Sequence, residues 1–570
     1  MLKVISCSKR VYNNGLQGKG ICMSRLLKFS YLLFILDSVL LFGYLYSLLS
    51  FRFSLGIYFF WGLILMIYGI LFTQILCTKN SWVSAGLILI ELIILNLLLH
   101  SIFQIPFESF FGIDAHFEYI SLTLILDQCF SFQSPLPLTS YWPMIHIYGA
   151  TFQLLTGLNL VNAAKVTPFL LELSLPLLLY ILFQKIISLA GCPKAREAAL
   201  LSILFYITIS NHIEFSSYFI RQTIALPIFV LIFYLFIAYL EKSSKRYIVL
   251  EILLIVALTF AHHFLGFILL VLLIVFTLIQ GVLHKKLNGA SHILIVSCVV
   301  LGYWTYLVQF PLNVIVNTFQ DLLLYQGSSY IEVRNIDATS FAYLREVILL
   351  YGFFLFHGIF SIIILVKLNI LKRLVPYIAI LFTCGIIGVF LLFGPVSIFP
   401  DRILLIGWIF GSVPLIVAIL SMKKSYRQIS MIVVFMFLLY NVYYISPAFY
   451  SSPEDVYSHP TAEDYRIVSI IDMREYNVLA HTNIYAATLD IYHVETNRFN
   501  QKEIFSNLTD NVRMSDLIFL DSRFIEIMKA DYSNKIDYSA SIASLRGELT
   551  TTQYSQILDS TYIKGYVNMR

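Results

Sequence analysis

Apolar segments near or above the ~20 residues that span a bilayer recur in this chain from Phe29 to Ser446. They decide the class before any motif is read. Only 12% of the 570 residues are charged and 59% are hydrophobic, whereas soluble domains carry about a quarter charged residues. The expected fold is an α-helical polytopic membrane protein. Phe and Tyr dominate an aromatic content of 16%, which suits helix packing and interfacial belts.

Hydropathy predicts spans near Phe29–Ser50, Ser54–Leu76, Trp82–Gln104, Ala164–Leu189, Ala198–Ser210, Gln222–Leu240, Tyr247–Phe260, Phe264–Leu283 and His292–Phe310. Four more follow near Phe341–Val366, Leu374–Phe393, Ile403–Leu420 and Ile429–Ile445. The total is about 13, although the fifth and seventh are short. The basic N-terminal stretch leads straight into the first span without a small-residue cleavage site, so that span is expected to be a signal-anchor. Met23 offers a second start.

Net charge is +5, but the position of the charges matters more. Lys3, Lys9, Arg10, Lys19, Arg25 and Lys28 precede the first span. Alternation puts Lys79, Lys185, Lys194, Arg196, Lys242, Lys245 and Arg246 on the same side. Lys285, Lys286, Lys367, Lys372, Arg373, Lys423, Lys424 and Arg427 join them. By the positive-inside rule that side is cytoplasmic. Counting the apolar stretch Tyr141–Leu158 as a span would reverse the later loops. It and Ala115–Gln128 are therefore read as helices at the outer interface, separated by the Pro/Ser-rich stretch Ser131–Pro143.

The expected organisation is a cytoplasmic tail over 1–28, a membrane module over 29–446 with its first outer loop at 105–160, and an outer domain over 447–570. That last part is polar, with strand-like runs at Ile467–Ile471 and Leu517–Leu520, and is expected to be a small α/β domain. Asn507-Leu508-Thr509 is a glycosylation sequon. The seven cysteines are scattered and none follows Cys384, which argues against a structural zinc site or a disulfide framework there. No Walker A, G-x-G-x-x-G or G-x-S-x-G motif occurs, and no basic-aromatic surface suggests nucleic acid.

On this topology the outer face collects the chemistry. The first outer loop carries Asp114, His116 and Glu118 within five positions. His146, His212, Glu214, Arg221, His262, His263, Asp401 and Arg402 lie at outer span ends and loops. The loop Pro311–Ser340 adds Asp321, Glu332, Arg334 and Asp337. Each has a structural alternative. Asp114 can cap an interfacial helix, Arg221 and Arg402 can anchor helix ends at headgroups, and the His262-His263 pair can be satisfied by neighbours. Glu214 can be a solvated loop residue, while Asp37, Glu91 and Glu172 suit interhelical hydrogen bonding.

The stretch Gly112-Ile113-Asp114-Ala115-His116-Phe117-Glu118-Tyr119, followed by Trp142-Pro143-Met144-Ile145-His146, resembles the GT-C superfamily of membrane glycosyltransferases, archaeal members in particular. The group includes the protein O-mannosyltransferases and the oligosaccharyltransferase catalytic subunit. The resemblance also covers the topology: an acidic first outer loop, two interfacial helices, many spans and an outer C-terminal domain. It implies transfer of a sugar from a polyprenyl-phosphate donor, such as dolichyl phosphate, to an acceptor hydroxyl on a glycan, lipid or protein. The Trp-Trp-Asp-Tyr-Gly signature of oligosaccharyltransferases is absent, which favours single sugars over whole glycans.

The chemistry needs a carboxylate to take the acceptor proton and cations or donors for the leaving phosphate. Asp114, with His116 and Glu118, is expected to be catalytic. Arg402, Arg221, His262 and His263 are expected to bind the lipid phosphate, and His146, Glu214 and His212 are further candidates. A divalent cation, Mg or Mn, would sit at Asp114 and His116. The expected location is the plasma membrane. Two alternatives stay open: a transporter or flippase for a lipid-linked or polar solute, and a polysaccharide polymerase or ligase of another fold.

Overall fold

The computed structural model describes residues 16–51, 57–77, 82–105, 113–128, 141–192, 194–285, 289–309, 313, 341–367, 371–393 and 400–444, and five short strands beyond them. The chain begins with α1 (Leu16–Phe51), α2 (Ile57–Cys77) and α3 (Trp82–Gln104). Next come α4 (Ile113–Gln128), α5 (Met144–Thr156), α6 (Leu160–Glu172) and α7 (Leu175–Leu189). The middle of the chain forms α8 (Ala195–Ile207), α9 (Ser210–Ser217), α10 (Arg221–Lys242), α11 (Lys245–Ala261), α12 (Leu265–His284) and α13 (Ala290–Tyr306). The bundle closes with α14 (Phe341–Lys367), α15 (Leu371–Phe393), α16 (Pro400–Ser421) and α17 (Lys424–Tyr444).

Among the described residues, eight helical segments are long and apolar enough to cross a membrane, or nine if α8 and α9 together make one span. The protein is a multi-pass helical membrane protein. Of the other expected spans, α11 and α13 are helices of 17 residues each, and α14 and α15 carry the shorter apolar stretches Gly352–Lys367 and Arg373–Gly388. The two expected interfacial helices are α4 and α5, of 16 and 13 residues. Gly157, at φ +68°, ends α5 and donates its N–H to the Gln153 carbonyl. Asn159 then caps α6 by accepting the Asn162 N–H at 2.8 Å, the usual way to satisfy a free helical donor.

At the centre lies α16, whose spanning window is entirely buried. A helix apolar on every face belongs inside a bundle. Gly407 and Gly411 let α15 approach closely: a Cβ at Gly411 would meet Leu381 Cδ1 at 2.7 Å. Small residues four apart serve this purpose between membrane helices.

The chain bends by 65° between α8 and α9. A break in lipid is tolerated only where the freed backbone groups find partners. Here Asn441 of α17 accepts the Ser210 N–H at 2.9 Å, and the Tyr68 hydroxyl donates to Thr208 Oγ1 at 2.9 Å. The expected interhelical bonds of Glu91 and Glu172 are present, to Gln74 at 3.2 Å and Asn96 at 3.2 Å. Asp37 departs from that reading: both its carboxylate oxygens are buried without a partner among the described residues.

Among the described residues beyond 444, five strands form one mixed sheet in the order β2-β1-β3-β5-β4. They are β1 (Val478–Ala480), β2 (Asn497–Arg498), β3 (Leu517–Asp521), β4 (Tyr554–Asp559) and β5 (Ile563–Asn568). β1 runs parallel to β2 and β3, whereas β5 pairs antiparallel with β3 and β4. The expected strand at Leu517–Leu520 is β3. The run Ile467–Ile471, the sequon at Asn507 and any helices of that region lie outside the described residues.

Candidate functional site

Glu118 is buried on α4, and a buried carboxylate must be paired or protonated. It is paired twice. Arg221 Nε donates to Oε1 at 2.6 Å, and His146 Nε2 lies 2.6 Å from Oε2. Burial alone would raise the Glu118 carboxyl, but the Arg221 charge and the His146 hydrogen bond outweigh it and hold the pKa at about 2. Three elements meet here: α4 supplies Glu118, α5 supplies His146, and Arg221 is the first residue of α10. Gly149 permits the contact between α5 and the turn before α10, since a Cβ there would meet Phe219 at 2.9 Å.

The polar surface continues from Arg221. Its guanidinium lies over the Trp142 ring, 5.6 Å from the centroid, and Trp142 lies 5.1 Å from the ring of His263. His262 and His263 stack with centroids 4.6 Å apart. His262 Nδ1 accepts the N–H groups of Phe264 at 3.0 Å and Leu265 at 3.3 Å, so it caps α12. Burial, then the charges around it, hold His262 well below the usual imidazole range. His263 is lowered to about 3 by burial, Arg221 and Arg402, against an opposing pull from Glu118. Both rings are therefore neutral near pH 7. Arg402, in the first turn of α16, completes the group with its guanidinium 5.3 Å from the Phe215 ring centre.

Chemically, this is a concentration of positive charge with a donor to spare. Arg221 and Arg402 sit in the first turns of two helices, where the macrodipole adds further positive potential. The Trp142 indole N–H is a buried donor with no partner among the described residues. An anion is the ligand that such a surface accommodates.

The expected site residues thus divide. Glu118, His146, Arg221, His262, His263 and Arg402 come together, and His116 is buried on α4 beside them in sequence. Asp114 is the second residue of α4, about one turn before Glu118, and its side chain lies outside the described residues, as do those of Asp401, Asp321, Glu332, Arg334 and Asp337. Glu214 is not merely solvated, because it accepts the Tyr218 hydroxyl at 3.0 Å.

His212 goes elsewhere. It joins His100 and Glu172 in a buried cluster on α9, α3 and α6. Sequence reasoning passed over His100 altogether. The signal was present: Asn96, His100 and Gln104 recur every fourth residue in a mostly apolar span, which puts them on one helix face. No family model matches this chain, and no curated protein matches it.

Proposed function

We propose that the protein transfers a sugar from a polyprenyl-phosphate donor to an acceptor hydroxyl at the outer membrane surface. The observation that carries this reading is the pair of helix-start arginines, Arg221 and Arg402, flanking the neutral His262-His263 stack. A lipid phosphate leaving an anomeric carbon needs such a cationic seat. In the proposed step the acceptor oxygen bonds to the anomeric carbon as the bond to the phosphate oxygen breaks. The acceptor proton passes to the Asp114 carboxylate, and polyprenyl phosphate departs held by Arg221 and Arg402. Glu118, already committed to Arg221 and His146, acts as the anchor for that cation. A Mg or Mn ion at Asp114 and His116 belongs to the same proposal.

The finer topology is part of this reading: 13 spans, a cytoplasmic N-terminus, an outer C-terminal α/β domain and a plasma-membrane location. What supports it is the contrast between the two ends of the bundle. Lys185 pairs with Glu241 and Arg373 reaches the Ala190 carbonyl at one end, while the proposed site is at the other end of α10.

The test is purified protein incubated with a panel of polyprenyl-phosphate sugars, following release of polyprenyl phosphate. Turnover is expected, lost in Asp114→Asn by about 10²–10⁴-fold. Arg402→Ala is expected to weaken donor binding, with partial rescue by Arg402→Lys. No turnover of any donor, or an active Asp114→Asn, overturns the proposal. The 65° break beside a buried ionisable cluster favours a second reading, a transporter. Proteoliposomes that move labelled lipid without cleaving the sugar–phosphate bond would select it.

A further inference from the structure

His100, Glu172 and His212 are remote in sequence, yet His100 Nε2 and His212 Nε2 lie 3.9 Å and 3.6 Å from Glu172 Oε2. One ligand atom from each residue lies within 4.8 Å of the others. All three residues are buried, with exposures of 1%, 0% and 0%. Ionisable groups at this depth are rare and mark function more often than packing.

The protons decide what the cluster lacks. His100 Nδ1 lies 2.6 Å from the Asn96 carbonyl, which only accepts. Nδ1 therefore carries the hydrogen, and neutral His100 turns the Nε2 lone pair inward. The Asn96 amide donates to the Glu172 carbonyl and to Oε2, at 3.3 Å and 3.2 Å. Ser216 has one hydroxyl hydrogen, with the His212 carbonyl and His100 Nε2, at 2.6 Å, as acceptors beside it. The single N–H of His212 has Ser216 Oγ 3.3 Å from Nδ1 and the Asn96 side-chain oxygen 3.4 Å from Nε2. Glu172 Oε1 has no partner among the described residues.

A cation offers these clustered lone pairs a shared partner. With one bound, His100 keeps its hydrogen on the Asn96 carbonyl and His212 Nδ1 donates to Ser216, whose hydroxyl turns to the His212 carbonyl and moves off His100 Nε2, which it meets at 2.6 Å without the ion. Both Nε2 atoms and Glu172 Oε2 then face the ion. We infer that His100, Glu172 and His212 form a binding site for a divalent transition metal of the zinc class. Two imidazole nitrogens and one carboxylate oxygen are a donor set zinc takes readily, with a fourth position left for water. Bonds of about 2.0–2.1 Å put tetrahedral ligands about 3.3 Å apart, so the 3.6 Å and 3.9 Å separations to Glu172 close slightly on binding, and the two histidines, whose ligand atoms lie within 4.8 Å, draw together. The Asn96 carbonyl on His100 Nδ1 supplies the outer hydrogen bond that fixes a ligating histidine. The ion pins α9 to α3 and α6. Helix α9 also carries Phe215 under Arg402, so the metal steadies one wall of the anion-binding surface.

The experiment uses full-length protein in detergent, stripped with a chelator and dialysed against Co2+ or Zn2+. About one metal per chain is expected by mass spectrometry, with visible d–d bands for Co2+ in a tetrahedral N/O site. Glu172→Gln and His212→Ala are each expected to weaken Co2+ binding at least about tenfold, the lower end of what even a lost outer partner costs. His292→Ala removes a different buried histidine, paired with Glu251, and is expected to leave metal content unchanged. Monodispersity on size exclusion separates lost binding from lost fold. Wild-type protein that takes up no Co2+ overturns the inference and leaves a hydrogen-bond network only. Unchanged uptake in both ligand variants overturns it equally. Metal content is read without any sugar donor, so its outcome is independent of the proposed transferase activity.

Discussion

Glu118 and Arg221, 103 positions apart, meet at 2.6 Å and join α4 to the first residue of α10. A cation at a helix N-terminus works against the macrodipole. Glu118 offsets that cost, and Arg221 in turn keeps a buried carboxylate ionised. Breaking a buried pair from one side costs about 3–5 kcal/mol, because the surviving charge is left alone. Glu118→Ala and Arg221→Ala should each lower the thermal midpoint in detergent clearly. The double variant should lose less than the sum, and strict additivity would mean that the pair is not coupled.

Asn441 holds the break between α8 and α9 by accepting the Ser210 N–H. Asn441→Leu leaves that donor unserved in an apolar setting, at a cost of about 1–3 kcal/mol. Hydrogen exchange should rise first in residues 208–217. Unchanged protection there would show that the amide finds another acceptor.

Gly411 faces Leu381 so closely that a Cβ would stand 2.7 Å from Cδ1. Gly411→Val should push α15 away from α16 and destabilise the bundle by about 1–3 kcal/mol, the usual range for overpacking. Leu381→Ala in the same chain should recover part of the loss. Failure of that rescue would assign the damage to another contact.

The His262-His263 pair makes stability depend on pH. His263 falls from its ordinary 6.5 to about 3 in the fold, and His262 moves in the same direction. The unfolded chain therefore binds these protons first. The stabilisation is present above about pH 6.5 and is lost as pH falls toward about 3. Thermal midpoints measured from pH 7.5 to 4.5 should decline, and His262→Asn with His263→Asn should flatten that decline. An identical slope in the double variant would exclude the pair as its source.

The proposed topology places the chain's end outside. An enzyme reporter fused after Arg570 should be active only when directed to the extracytoplasmic compartment. Cytoplasmic activity would reverse the assignment of the site to the outer face.

Membrane residence was legible from the sequence because it depends on composition summed over about 20 residues at a time. Helix positions followed from the same sums, and α4 and α5 lie close to where charge parity required non-spanning helices. The gathering of Arg221, Arg402 and the histidine pair also followed once loops were sorted by side. Hydropathy ignores direction around a helix, and that is where sequence reasoning stopped. It grouped His212 with the outer residues, although a 65° bend turns α9 so that His212 meets His100 and Glu172. It also places Glu118 among the reacting groups without its two partners, which come from α5 and α10. Only the tertiary structure decided these pairings, because whether a buried charge reacts, anchors or binds depends on which remote atoms lie within about 3 Å of it.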